Sequence, residues 1–145
     1  MKKLFLTLAV ILGLTFVAGA RDEISRDINV LPKAAQTELS RNFKSNVNLI
    51  KVDRELGRVK DYEVILTDGT EIKFDRNGNW EEIEVGLNSS IPSTYIPSGV
   101  AKYVKEKHPG QKIVGVDKER SGYDVELGNG IELKFNAEGK FLRYD

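Results

Sequence analysis

Cysteine is absent from this 145-residue sequence, and histidine occurs only once. The fold therefore has no disulfide, and no thiol is available as a nucleophile. One histidine cannot supply a two-imidazole metal site or a relay between two imidazoles. No serine lies in the glycine pattern of a nucleophile elbow. We predict that the protein is not an enzyme and has no catalytic residues, metal ligands or cofactors.

An excess of one charge is also missing, because 22 basic side chains balance 22 acidic ones. Removing the first 20 residues leaves 125 residues with 20 basic and 22 acidic side chains, a formal net charge of −2. Nucleic-acid binding needs a clustered positive face, and no arginine-rich or aromatic-basic stretch provides one. We predict no nucleic-acid partner, and a fold stabilised by a hydrophobic core that 125 residues can supply.

One long apolar run is present, at the start of the chain. Residues 1–3 form a basic head, Leu4 to Val17 is almost wholly apolar, and residues 18–20 are small. This order predicts a cleavable signal peptide, residues 1–20, cut after Ala20. The alternative, a permanent anchor, is disfavoured because the run is shorter than the roughly 20 residues that cross a bilayer. We predict a periplasmic or secreted product with no membrane insertion after the signal is removed.

Two stretches have apolar residues at every fourth position, which predicts two amphipathic helices. The positions are Leu31, Ala35, Leu39 and Phe43 in one stretch, and Ile96, Val100 and Val104 in the other, where His108 stands at the fourth place instead of an apolar residue. Each stretch has a proline at its second position, where the first turn of a helix tolerates it. His108 stands where a helix end favours a cation, and we predict that it caps and packs there.

Two stretches with alternating apolar residues predict antiparallel strands. Residues 62–83 contain YEVIL, a turn at Asp68-Gly69 and IKF, and residues 123–144 contain YDVEL, a turn at Asn129-Gly130 and IELKF. We predict an α+β fold of two tandem repeats in one compact domain. Each repeat is expected to be a helix packed on an antiparallel sheet of about four strands, and the pattern leaves open whether the two sheets join. The predicted segments are a lead-in at 21–30, a first repeat at 31–88, a crossing segment at 89–95 and a second repeat at 96–145.

This pattern resembles the exported PepSY-like proteins, whose tandem repeats are similar in fold to the β-lactamase inhibitor protein. The resemblance is carried by Leu31-Pro32, Tyr62-x-Val64, Asp68-Gly69, Phe74-Asp75-x-x-Gly78-x-Trp80, Ile96-Pro97, Tyr123-x-Val125, Asn129-Gly130 and Phe135-Asn136-x-x-Gly139-x-Phe141. These are turn and core residues, so they point to a fold. The resemblance implies a non-enzymatic binding module that inhibits or regulates an exported protein such as a protease.

The partner is predicted to dock on the polar side of the strands. Alternation places one apolar residue, Ile65, on that side, together with four charged residues: Glu63, Lys73, Glu126 and Lys134. Tyr95 ends the crossing segment and has a proline on each side, at Pro92 and Pro97. We predict that it contributes contact area to the docking surface, because tyrosine is enriched at interfaces. The alternative is a solvated face with cross-strand charge pairs.

The segment from Asp75 to Glu82 supports a second functional hypothesis. Asp75, Asn77 and Asn79 alternate as oxygen ligands do in a calcium loop. However, Gly78 stands at the fourth place instead of the sixth, and the same residues suit a hairpin turn. The alternative function is therefore a calcium-responsive or small-ligand-binding periplasmic protein.

Overall fold

The computed structural model describes residues 22–145. The predicted signal peptide and its cleavage site after Ala20 lie outside the described residues. The described helices and strands, in chain order, are β1 (Glu23–Ser25), α1 (Lys33–Asn42), β2 (Val47–Glu55), β3 (Arg58–Leu66), β4 (Glu71–Asp75), β5 (Trp80–Glu84), α2 (Ser98–Lys107), β6 (Ile113–Glu119), β7 (Gly122–Leu127), β8 (Glu132–Asn136) and β9 (Phe141–Tyr144). Short 3-10 turns span Ile28–Val30 and Ser93–Tyr95. No helix in this part of the chain is long and apolar enough to cross a membrane.

All nine strands form one antiparallel sheet, in which neighbours in space are also neighbours in sequence. The prediction of an α+β fold built from two helix-on-sheet repeats is therefore wrong. Only two helices occur in the described residues, and the fold is mostly β. The two predicted sheets are one because β5 pairs with β6, with Ile83 opposite Val116 and Glu84 opposite Gly115. This pairing satisfies backbone groups that a separate sheet would leave unpaired at its edge.

The helices begin after Pro32 and Pro97 and end near Phe43 and His108. Pro32 and Pro97 are the N-cap residues, with non-helical backbone angles. This placement agrees with the four-residue spacing in the sequence, except that the first apolar residue of each stripe precedes its helix. The buried stripe residues are Leu31, Ala35, Leu39, Val100 and Val104.

One hydrophobic core contains the two helix stripes and alternate residues of the strands. In β3, for example, Tyr62, Val64 and Leu66 are at most 8% exposed. The largest side chains with no exposed area in this core are Phe74 and Phe135, on β4 and β8. Because successive side chains of a strand point to opposite faces, the other face of the sheet carries the charged residues. We call that second face the open face.

Candidate functional site

Four glutamates lie in one line across the open face, and we call them the glutamate row: Glu71, Glu84, Glu126 and Glu132. Strand register places Glu71 opposite Glu84, and Glu126 opposite Glu132. Between these two pairs lies Gly115 of β6, which is opposite both Glu84 and Glu126. Like charges opposite each other in a sheet are destabilising. The row is therefore a concentration of negative charge at the centre of the sheet.

The missing side chain of Gly115 allows the two halves of the row to approach each other. A Cβ atom on Gly115 would lie 3.3 Å from Cβ of Glu126 and 3.5 Å from its Oε2. It would lie 4.0 Å from Cγ of Glu84. The Glu126 carboxylate thus occupies the space above Gly115, between the strands that carry the two glutamate pairs.

Burial and repulsion from neighbouring carboxylates raise the pKa values of three residues of the row, Glu71, Glu84 and Glu126. Burial, together with the charges of Glu82, Glu71 and Glu126, raises the pKa of Glu84 to about 7. Burial and the charge of Glu132 raise the pKa of Glu126. The pKa of Glu71 is raised by burial and by Glu63, and Lys51 only partly opposes this effect. Glu84 is therefore the residue of the row that most resists carrying its charge at neutral pH.

A second carboxylate cluster lies on the same face, at Asp117, Glu119 and Asp124. One ligand oxygen from each residue lies within 4.8 Å of the others. The ammonium Nζ of Lys134 lies 3.3 Å from Oδ1 of Asp124 and 3.5 Å from Oε2 of Glu119. Burial and the charge of Glu119 raise the pKa of Asp124, although Lys134 opposes this shift. Lys134 therefore acts as the counter-ion of the cluster.

A groove of about 690 Å³ passes over this cluster. Its lining includes Lys73, Glu82, Asp117, Asp124, Lys134 and Arg143. These residues come from strands β4 to β9, so the groove crosses the sheet instead of following one strand. The groove is lined mainly by charged side chains and is suited to polar or charged contacts.

Four of the six predicted partner-binding residues lie on the open face as half-buried charged residues. Glu63 and Lys73 are directly opposite each other, and Lys134 is opposite Asp124. Lys51 pairs with Glu63 at 3.4 Å, and Asp61 pairs with Lys73 at 3.5 Å. These pairs agree with the cross-strand charge pairs that the sequence offered as the alternative. Docking at Glu63, Lys73, Glu126 and Lys134 stays a prediction.

The other two predicted residues are buried. Ile65 is 8% exposed and Tyr95 is 3% exposed. The Tyr95 hydroxyl donates to Oε2 of Glu38 at 2.6 Å and accepts from Nδ2 of Asn42 at 2.8 Å. Its ring lies 5.1 Å from that of Trp80. Tyr95 thus joins the crossing segment to α1, and neither it nor Ile65 offers much surface to a partner in this conformation.

Sequence reasoning missed Glu84, Gly115 and Asp117, although all three are central to the open face. The sequence signals were the alternation of Glu82 with Glu84 and a glycine inside an apolar run. These signals indicate a shared site only when β5 is known to pair with β6, and that pairing joins segments separated by a helix.

The predicted calcium loop is a tight turn in which Asp75 caps backbone groups. Oδ1 of Asp75 accepts from the backbone N–H groups of Asn77 at 2.8 Å and Asn79 at 2.9 Å. Its Oδ2 accepts from Nδ2 of Asn79 at 3.1 Å. Burial acts to raise the pKa of Asp75, but these hydrogen bonds outweigh it and lower the pKa. The carboxylate is thus already engaged by the turn.

Comparison with known proteins identifies relatives of this fold. Residues 60–143 match the family described as "Putative beta-lactamase-inhibitor-like, PepSY-like". No curated protein matches the chain.

Three crystal structures from Bacteroides are similar over most of the chain. A "putative periplasmic protein of unknown function" from Bacteroides vulgatus is 38% identical, with a TM-score of 0.79, over 86% of this chain and 98% of that one. A "putative calcium-regulated periplasmic protein" from Bacteroides thetaiotaomicron is 32% identical, with a TM-score of 0.77. The match covers 86% of this chain and 96% of that one. A second Bacteroides vulgatus protein, "putative periplasmic" and from the DUF2874 family, is 29% identical, with a TM-score of 0.76, over 88% and 98%. The chain therefore belongs to the PepSY-like family, described as beta-lactamase-inhibitor-like.

Proposed function

We propose that this protein is an exported, non-enzymatic binding module whose open face docks a basic segment of another exported protein and thereby inhibits or regulates it. The observation that carries the proposal is the glutamate row, which concentrates like charges on the face of the sheet opposite the hydrophobic core. Export is supported by the signal-like residues 1–20 and by the relatives described as periplasmic.

A basic partner fits because it relieves an electrostatic cost that the free protein bears. The raised pKa values of Glu71, Glu84 and Glu126 reflect burial and repulsion from neighbouring carboxylates. Lysine or arginine side chains over Gly115 would favour the charged forms of these residues. An acidic or purely apolar partner would add to the cost. Charge complementarity of this kind gives specificity and speeds association.

The test is binding of a fluorescent ten-lysine peptide, measured by anisotropy at pH 8 and low salt. We expect Glu84→Gln with Glu126→Gln to weaken binding about tenfold, which corresponds to about 1.4 kcal/mol. The matched control is Glu106→Gln with Glu138→Gln, which removes the same charge from two exposed residues in α2 and in the turn after β8. We expect the control to bind within about twofold of the wild type. Equal weakening in both variants would contradict the proposal, because it would indicate a general response to net charge.

A second candidate function is calcium-dependent regulation, favoured by the cluster of Asp117, Glu119 and Asp124. Carboxylate oxygens are the ligands that calcium prefers, and three of them converge here. The fit is incomplete because the ammonium of Lys134 lies among them and would have to move aside. A relative that is 32% identical is described as calcium-regulated, which supports this candidate.

Heat denaturation with and without calcium tests this second candidate. A cation that binds only the folded state raises its stability, so millimolar calcium should raise the Tm of the wild type. We expect Asp117→Asn with Glu119→Gln to lose that increase. Asp75→Asn should keep it, because the Asp75 carboxylate is engaged by its own turn. A wild-type Tm that does not change with calcium would exclude the candidate.

A further inference from the structure

The sheet has two edges, and they differ in how well they are protected from pairing with another chain. Within residues 22–145, β1 and β9 each have a strand neighbour on one side only. Strand β1 has three residues, and its Glu23 forms an ion pair with Arg54 at 3.4 Å. Short strands and charged side chains keep an edge from pairing. Strand β9 is more apolar, because it reads Phe-Leu-Arg-Tyr, and Leu142 and Tyr144 are half exposed.

The backbone of β9 presents one donor and one acceptor at its free edge. The carbonyl of Lys140 accepts from a β8 N–H at 2.9 Å, and the N–H of Asp145 donates to a β8 carbonyl at 3.1 Å. Both groups therefore point into the sheet. The carbonyl and the N–H of one trans peptide unit point in opposite directions. The N–H of Phe141 and the carbonyl of Tyr144 must then point outward, toward the free edge.

The side chains of residues 140–145 are complementary to a second copy of the same segment. In an antiparallel pair about a two-fold axis between residues 142 and 143, Phe141 lies opposite Tyr144 of the second copy, and Lys140 lies opposite Asp145. Aromatic pairs and opposite-charge pairs are favourable when they are directly opposed. The rings of Phe141 and Tyr144 lie 5.0 Å apart on the side of the sheet that carries α2. Each ring would therefore meet its counterpart on the same face.

We propose that two copies of this protein pair through β9 about this two-fold axis, so that two nine-stranded sheets join into one. The N–H of Phe141 then donates to the carbonyl of Tyr144 in the second copy, and the same bond recurs on the other side of the axis. An interface of this symmetry uses the same surface on both copies, so it closes at the dimer. Arg143 and Asp145 also line the groove of the open face, so the dimer brings the grooves of both copies to the same axis.

The first experiment measures the mass of the full exported chain by analytical ultracentrifugation over a range of concentrations. We expect an equilibrium between monomer and dimer. Lys140→Asp sets a carboxylate opposite Asp145 on both sides of the axis, so we expect the dimer Kd to rise about tenfold, which corresponds to about 1.4 kcal/mol. Lys140→Asp combined with Asp145→Lys restores opposite charges, and its Kd should lie within about threefold of the wild type.

Lys33→Asp is the matched control, because it makes the same charge change at an exposed residue of α1, far along the sequence from β9. Its Kd should stay within about twofold of the wild type. No recovery in the combined variant would overturn the proposal. A protein that stays monomeric at every concentration would also overturn it and would leave β9 free for a segment of another protein. Growth beyond the dimer would overturn it as well, because it would indicate head-to-tail contacts.

The second experiment measures amide hydrogen exchange by NMR below and well above the dimer Kd. We expect the Phe141 amide to exchange about tenfold more slowly in the concentrated sample, because it gains a hydrogen-bond acceptor there. The Asp145 amide is already bonded within the chain and should not change. If dimers form and the Phe141 rate does not change, the copies pair through another surface and the proposal is wrong.

The dimer and the proposed function can fail separately. The dimer uses the edge at β9, whereas the proposed docking of a basic segment uses the glutamate row. Neither of these two experiments uses the ten-lysine peptide. If the peptide does not bind while the charge exchange restores the dimer, the proposed function fails and the dimer stands.

Discussion

Replacing Gly122 with alanine is expected to destabilise the protein by more than about 4 kcal/mol, and the variant should not accumulate as a folded protein. Gly122 begins β7 with a φ of +151°, which an L-residue seldom adopts. A Cβ atom there would lie 2.7 Å from the carbonyl carbon of Asn136 and 2.8 Å from its Cα, and it would collide with the carbonyl oxygen of Phe135. These contacts are with backbone, so β7 and β8 would have to separate. Soluble yield and urea unfolding are the measurements.

Gly130→Ala is the control for backbone conformation. Gly130 also has a positive φ, +87°, but no heavy atom lies within 4 Å of its Cβ position. Alanine should therefore cost only the backbone strain, about 1–2 kcal/mol. If the two variants were equally stable, the close approach of β8 to Gly122 would be contradicted.

Phe135→Ala is expected to cost about 3–5 kcal/mol and to shift the unfolding of the entire sheet. Phe135 on β8 has no exposed area, and its ring packs edge-on against Tyr103 and Phe141 at 5.7 and 5.8 Å. The single tryptophan, Trp80, lies on β5 in the other half of the sheet. Because one sheet and one core connect the halves, Trp80 fluorescence and circular dichroism should give the same lowered urea midpoint.

Leu142→Ala serves as the comparison, because Leu142 on the neighbouring strand β9 is 50% exposed. Its effect should stay within about 0.5 kcal/mol. If Phe135→Ala left the Trp80 transition at the wild-type midpoint, the two halves would unfold independently and the single cooperative sheet would be refuted.

Local periodicity predicted the helices and most strands well. Leu39 and Val104, for example, are buried where the four-residue spacing places them. The same spacing could not show that β5 pairs with β6, because that contact joins Glu84 to a segment almost thirty residues later. Pairing between separated segments depends on the path of the connecting chain, and local patterns do not report it. For this reason, the prediction of a fold built from two helix-on-sheet repeats was wrong.

Alternation predicted several charged residues of the open face, but it did not predict Glu84 or Asp117, nor the raised pKa of Glu84. Alternation places Glu63 and Lys73 on one face, and their register brings them directly opposite each other. It does not show that Glu84 and Glu126 flank an empty position at Gly115. Tyr95 was predicted to bind a partner because it lies in a loop between two prolines, but its hydroxyl donates a hydrogen bond to Glu38. A turn-rich sequence is not enough to place a side chain at the surface.

The sequential order of the strands also affects how the chain can fold. Nine strands in sequential order make eight strand pairs. Seven of these pairs join strands separated by a turn or by the segment that contains α1, and only the pairing of β5 with β6 spans α2. Short loops close with little loss of chain entropy, so most of the sheet can assemble hairpin by hairpin from contacts that are close in sequence. During synthesis, each strand could therefore pair with the strand that is made directly after it, and it would not depend on a strand that is distant in sequence.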